Sequence, residues 1–440
     1  MQIWGLWSGG SRKCYEISVL GLTSDKTSLW VDVPYITSTF LLPGPLGSFT
    51  VGILMEIYGR KKIVQLAYLP LLLGWAIISQ ADSVMTLCIG RLMTGFALGM
   101  EPAAIVYASE VMLPPSHRSI VLTFISPAFY SGMALTYFVG YFLAWQQEAI
   151  CMSALGALSF LLVFAIPESP SWLLSKNKIK ETTRSLQWLT NDSINVDEEL
   201  ANLKGADVCK LEETHKTKES FFQSTMDTGA WKPLLIIMLF IFCQQFSGYK
   251  ILVFYTVSFY ESFGTEIDSY LSSIIFAVIT VFSSLLLAIV INLVNRKTLM
   301  MVSGAGVCVL CSITAAHLYF FRNEENRPVF WLPIVCIWIN VVFSTFGLNT
   351  LTWIMAGELF PRKVRGTMVG LVWAGGFFLM FISVKIYPAL ASIIQVYGVL
   401  TMFSIVAFIS IICSIYILPE TRGKTLSEIE VLWLPKKNRH

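Results

Sequence analysis

The chain has 440 residues, of which 55% are hydrophobic and only 13% charged, with a mean hydropathy of +0.66. Soluble chains carry about 25% charged residues, so a water-soluble globular fold is excluded, and a net charge of +3 is too small to point to nucleic acid. What remains is an all-α polytopic membrane protein.

In chain order, residues 1–29 hold no apolar run long enough to span and no signal-peptide pattern. A hydrocarbon core of about 30 Å needs about 20 apolar residues in a helix. Segments of that kind begin near Val31, Ile63, Thr86, Ile120 and Ala149, then near Pro233, Tyr270, Leu299, Val329, Thr367 and Val396. Eleven spans are predicted. Between the two groups, Leu173 to Lys232 carries Lys176, Lys178, Lys180, Arg184, Lys204, Lys210, Lys216 and Lys218 among acids. This stretch reads as short amphipathic helices in water.

Basic residues orient the spans. One set of loops holds Arg60, Lys61, Lys62, Arg118, the central lysines, Arg296, Lys297, Arg362, Lys363 and Arg365, and the tail adds more. The opposite loops hold Arg322 and Arg327 beside two glutamates. The central segment and the C-terminus are therefore expected in the cytoplasm, and alternation puts Val31 outside; either the N-terminus is outside too, with eleven spans in all, or a first span is missing from this chain. The nine cysteines form no CxxC pair and fall mostly in apolar runs, so neither a disulfide framework nor a zinc site is indicated.

The two halves echo each other. ASEVMLPPSHRS (108–119) matches AGELFPRKVRG (356–366), PESPSWLL (167–174) matches PETRGKTL (419–426), and YGRKK (58–62) matches VNRKT (294–298). Each match lies at the cytoplasmic end of a span. Parallel duplication of this kind is what two-bundle secondary transporters show, with the solute held between the halves near the midplane.

GILMEIYGRKK, GRLMTGFALG, YASE, PESPSWL, QQFSG, the GE of AGELFP, KVRG and PETRGKTL together resemble the sugar porter family of the major facilitator superfamily, most closely its facilitated trehalose and hexose transporters. The resemblance covers residues 30–430. It implies a major facilitator fold of two helical bundles, 30–166 (the family's spans 2–6) and 231–418 (spans 7–12). A cytoplasmic linker, 167–230, joins them, and a cytoplasmic tail, 419–440, follows. The family's first span has no counterpart in residues 1–29. A multi-pass protein of the plasma membrane is expected.

The resemblance also implies a cytoplasmic gate of Glu56, Arg60, Arg91, Glu110, Arg118, Glu168, Arg296, Glu358, Arg365 and Glu420, holding the halves together. Half-exposed ion pairs are worth only about 0–1 kcal/mol each, so such a network can close and reopen. The bland alternative is that the charges only set topology. Glu56 stands where the family has aspartate, Ser119 and Ser171 replace a glycine and an arginine, and Asn292 and Asn295 replace an aspartate and a glycine.

A sugar needs amides and hydroxyls for its OH groups and an aromatic face for its C–H surface. Gln244, Gln245, Tyr255 and Trp353 supply these and align with family binding positions. Elsewhere the pattern changes. Lys250 replaces an asparagine, Asn349, Thr350 and Thr352 replace the glycine and two prolines of GPxPW, and Gly376 and Phe377 replace an Asn-Trp pair. Thr280 and Ser126 fall at two further polar positions of the family. Intramembrane Glu101 stands where a small or hydroxyl residue is usual.

An ammonium in hydrocarbon must snorkel, pair or face a wet cavity. For Lys250 three readings stay open: snorkelling to the outer interface, a charged head at the cavity mouth, or pairing with Glu101. Pairing is disfavoured by about 10 Å of depth between the backbones.

The sequon at 191–193 falls in the cytoplasmic linker and should carry no glycan, and the four histidines form no cluster. No Ser-His-Asp set, metal spacing or phosphate loop is present, so neither an enzyme nor a cofactor is expected. The expected partners are a small-molecule sugar and the lipid bilayer, with the protein a monomer. The sequence thus reads as a facilitator of a neutral sugar by alternating access. Its rivals are a non-transporting sugar sensor or degenerate relative, and a carrier of a non-sugar or anionic solute.

Overall fold

The computed structural model describes residues 38–111, 115–189, 200–201, 230–263, 268–291, 293–322, 329–360 and 365–420. The N-terminal segment 1–29, the 191–193 sequon and most of the linker and tail lie outside the described residues. The described residues are helical throughout, with short turns between helices.

In the first half, α1 (Gly44–Tyr58), α2 (Arg60–Ser79), α3 (Val84–Gly99) with its continuation α4 (Pro102–Val111), α5 (Pro115–Phe142) and α6 (Trp145–Ala165) make five traverses. Two short helices follow, α7 (Pro170–Ser175) and α8 (Ile179–Leu189), in the stretch read as amphipathic. Thr182, Ser185 and Leu186 form the buried face of α8, with Lys180 and Arg184 exposed.

The second half opens with a broken traverse of α9 (Trp231–Phe246), α10 (Tyr249–Phe254) and α11 (Thr256–Ser262). Then come α12 (Ser269–Val290), α13 (Arg296–Phe320) and α14 (Leu332–Ser344), which continues through a π turn, Thr345–Asn349, into α15 (Leu351–Glu358). The last run, α16 (Arg365–Tyr416), is two spans joined at Gln395, whose backbone (φ 60, ψ 168) is not helical. Among the described residues eleven helical traverses result, matching the apolar segments, and seven of their helices are long and apolar enough to cross a membrane.

The outer surface is apolar: Leu161, Phe164, Phe282 and Phe408 are all exposed, as expected where the solvent is lipid. Lipid tails give helices no hydrophobic reason to associate, so close backbone approach has to hold them together. The α1–α3 contact shows how. A Cβ on Gly95 would stand 1.8 Å from the Phe40 carbonyl oxygen, and one on Gly99 2.2 Å from that of Gly44. Ser48 Oγ donates to the Gly99 carbonyl at 3.1 Å across the same contact. The two halves meet along two pairs, α5 with α12 and α1 with α16. Phe377 of α16 fills the space beside Gly44, where a Cβ would come within 2.9 Å of its ring.

Candidate functional site

The seam between the halves is polar at one level. Gln244 and Gln245 end α9 and are both fully buried. Gln244 Nε2 donates to the Asn349 carbonyl at 2.7 Å and to Asn349 Oδ1 at 3.3 Å. Asn349 Nδ2 in turn donates to the Tyr130 hydroxyl on α5, so one residue ties the second half to the first. Gln244 Oε1 and both polar atoms of Gln245 have no protein hydrogen-bond partner. A buried polar atom left unpaired costs about 1–3 kcal/mol. Three such atoms lie together here, where most buried polar groups would be paired.

Above this level the seam is held by tyrosines. The Tyr137 hydroxyl donates to the Val253 carbonyl at 3.0 Å and lies 2.9 Å from Thr256 Oγ1, joining α5 to the break between α10 and α11. Tyr255 donates to the Val384 carbonyl at 3.2 Å, and its ring lies 4.7 Å from that of Tyr387. The Trp353 and Trp373 rings lie tilted against each other at 4.5 Å, and Trp373 leads on to Phe377 at 6.0 Å. Thr280 is buried on α12 and donates to its own helix at Phe276, with Tyr249 beside it. Ser126 is half-buried one turn before Tyr130 on α5.

Lys250 is 6% exposed, with Nζ 5.4 Å from the centre of the Tyr249 ring. Its burial rules out snorkelling to an interface. Glu101, at the turn between α3 and α4, lies within Coulombic reach of it. Both backbones break beside these residues, so the rise of continuous helices does not set the depth between them.

The charged cluster assembles at one end of the first bundle. Arg60 grips Glu110 with Nε at 2.9 Å and Nη2 at 3.2 Å, and reaches Glu56 at 3.1 Å. Ser169 Oγ donates to Glu110 at 2.6 Å. Among the described residues Glu168 acts as a helix cap, accepting the Lys61 backbone N–H at 2.8 Å. The second half repeats the device: Glu420 accepts the N–H groups of Arg296 and Lys297 at 3.1 and 3.2 Å. A carboxylate at a helix N-terminus meets orphan N–H donors and the positive end of the dipole. Arg60 Nη1 also donates to the Met55 carbonyl, five residues back, as Arg296 does to that of Ile291.

These contacts run within one half, not across the seam, so they make each helix end rigid. The side chains of Arg118, Glu358 and Arg365 lie outside the described residues. Arg91 does not join the cluster. It is 1% exposed on α3, 19 residues before Glu110 and toward the opposite end of the bundle, with its guanidinium 5.9 Å from the Phe40 ring and within Coulombic reach of buried Glu148. A separate groove of about 350 Å³ between α1, α2 and α3, lined by Leu54, Leu66, Leu69, Leu73 and Met93, is apolar and offers nothing to a sugar.

Residues 11–433 match the family described as sugar (and other) transporter. The chain belongs to this family. It is 30% identical over 429 residues to a facilitated trehalose transporter of Apis mellifera ligustica, covering 96% of this chain and 84% of that one. A facilitated trehalose transporter of Bombyx mori is 28% identical over 418 residues, covering 94% and 81%. In fold the chain is similar to the proton:xylose symporter XylE bound to 6-bromo-6-deoxy-D-glucose. That likeness has a TM-score of 0.77 at 19% identity and covers 98% of this chain and 95% of that one. It is also similar to the inward-open xylose transporter XylE of E. coli, at TM-score 0.75 and 17% identity over 98% of both chains. This is a multi-pass sugar transporter family member of the major facilitator fold.

Within this family member, sequence reasoning missed Tyr130, Tyr137, Tyr249 and Glu148. A usable signal existed for two of them. Tyr130 and Tyr137 are seven residues apart on one face of an apolar helix, and a buried phenol hydroxyl needs a partner.

Proposed function

We propose that this protein carries a neutral sugar, a hexose or trehalose, across the plasma membrane by facilitated diffusion, acting as a monomer through alternating access. Residues 30–166 and 231–418 are the two moving halves, the linker 167–230 and tail 419–440 lie in the cytoplasm, and no reaction is catalysed. The observation that carries this reading is the unpaired, fully buried amide of Gln245 beside the Gln244–Asn349–Tyr130 chain. A ligand with many hydroxyls and no charge can both donate to and accept from such groups. The relatives named above point to the same solute class.

The binding set is Gln244, Gln245, Tyr255, Trp353, Asn349 and Thr350, with Ser126, Thr280, Lys250 and Phe377 at its margin. The gate acts through Glu56, Arg60, Glu110, Arg118, Glu168, Arg296, Glu358, Arg365 and Glu420. The capped helix ends let each half turn as one body.

Lys250 favours a second reading, a solute bearing an acid group, because its ammonium is buried at the seam. Uptake of labelled glucose, trehalose and a sugar acid into vesicles holding the purified protein, with and without an uncoupler, separates the two. Saturable uptake of a neutral sugar that ignores the uncoupler is expected. Uptake of the acid alone, or abolition by the uncoupler, refutes the facilitator.

A further inference from the structure

The traverse α14–α15 changes helical register at the seam. Over Thr345–Asn349 the backbone is a π turn, which widens the helix and leaves groups out of the i→i−4 pattern. Side chains of three neighbours meet the backbone here. The Leu348 N–H donates to Ser303 Oγ on α13 at 3.0 Å. The Leu348 carbonyl accepts from Thr352 Oγ1 at 2.9 Å, and the Asn349 carbonyl accepts from Gln244.

Ser303 is fully buried and touches nothing in the Gln244–Asn349–Tyr130 chain directly. Its approach is possible because residue 347 is glycine: a Cβ there would stand 2.5 Å from Ser303 Cβ and 2.8 Å from the Leu299 carbonyl oxygen.

We propose that Ser303 is a positioning residue of the sugar site, holding the π turn open so that Asn349 stands between Gln244 and Tyr130. The inference rests on the transport reading above and adds a residue and a mechanism to it. Without the Ser303 hydroxyl, the Leu348 N–H loses the acceptor that α13 supplies. The cheapest remedy is a return to α register with Ser344 as acceptor. One residue of register turns the helix by about 100°. Asn349 then leaves the seam, and with it goes the link between the halves at the level of the ligand.

The test is a double-mutant cycle with Ser303→Ala and Asn349→Ala in the full-length protein, reconstituted in vesicles and assayed with the neutral sugar it takes up. Ser303→Ala raises KM by about 3- to 10-fold, the equivalent of one hydrogen bond, with Vmax per folded molecule nearly kept. The double variant matches Asn349→Ala alone, because the serine acts through the asparagine. Ser303→Cys, which keeps a weak acceptor, falls between wild type and Ser303→Ala and carries the comparison if the alanine variant does not fold. Additive losses, or an unchanged KM, overturn the proposal.

Amide hydrogen exchange supplies a readout that needs no sugar. Residues 345–349 exchange faster in Ser303→Ala, or in Ser303→Cys to a smaller degree, while α12 is unaltered. Unchanged exchange there also overturns the proposal. A wild type that takes up no neutral sugar refutes the transport reading, and the exchange result still decides the role of Ser303.

Discussion

Gln245→Leu separates a site from a core. Gln245 is 0% exposed, and neither Nε2 nor Oε1 has a protein partner. Each such group costs the folded protein about 1–3 kcal/mol, and leucine fills a similar volume with none of that cost. The variant should therefore be more stable than wild type by about 2 kcal/mol or more, seen as a Tm raised by a few degrees in detergent. The same substitution removes the Gln245 amide proposed to meet the sugar. A sugar at about 100 times its Kd stabilises the native protein by about 2.7 kcal/mol, so it should raise the wild-type Tm and leave that of the variant unmoved. Differential scanning fluorimetry with and without sugar reads both effects. A variant that melts lower than wild type yet keeps the sugar-induced shift would show that the amide serves packing, and the reasoning would fail.

Glu110→Gln removes the charge that Arg60 grips with two nitrogens, both side chains being mostly buried, and should lower stability by about 1.5–3 kcal/mol. Vesicle uptake should show Vmax reduced several-fold with KM nearly unchanged; an effect confined to KM would place Glu110 in the binding site. Gly95→Ala meets the Phe40 carbonyl at 1.8 Å and should cost about 2 kcal/mol or more, whereas Gly52→Ala, with nothing within 4 Å, should gain up to about 1 kcal/mol. Equal melting temperatures for the two would refute the close α1–α3 contact. Lys250→Asn should strengthen neutral-sugar binding several-fold, since an ammonium donates hydrogen bonds and accepts none. A titration that gives the wild-type Kd removes Lys250 from the site.

The spans were legible because a bilayer imposes one composition over a fixed length, and the duplicated motifs told which ends lie together. The helix caps Glu168 and Glu420 were visible as matching PE pairs, but their partners were not: a carboxylate before a helix reads the same whether it meets a side chain or backbone N–H groups. Arg91 was assigned by its motif, and its depth on α3, 19 residues from Glu110, contradicts that assignment. The π turn over TFGLN (345–349) left no distinct trace, since its one glycine, Gly347, stands in a run that reads as a continuous span. Ser303 is 45 residues from Leu348, and no local pattern links them. Tyr130 was hidden because a tyrosine in an apolar run counts as hydrophobic, although its hydroxyl makes one of the contacts between the halves.

Alternating access by the two halves around one neutral-sugar site is tested most directly by counterflow. Vesicles containing the purified protein are loaded with unlabelled sugar and diluted into a trace of the same sugar labelled, with no ion gradient. The account predicts a transient overshoot of label inside the vesicles, present in wild type and absent in Gln245→Leu. Label that only equilibrates, without overshoot and at the same rate in both proteins, would contradict it.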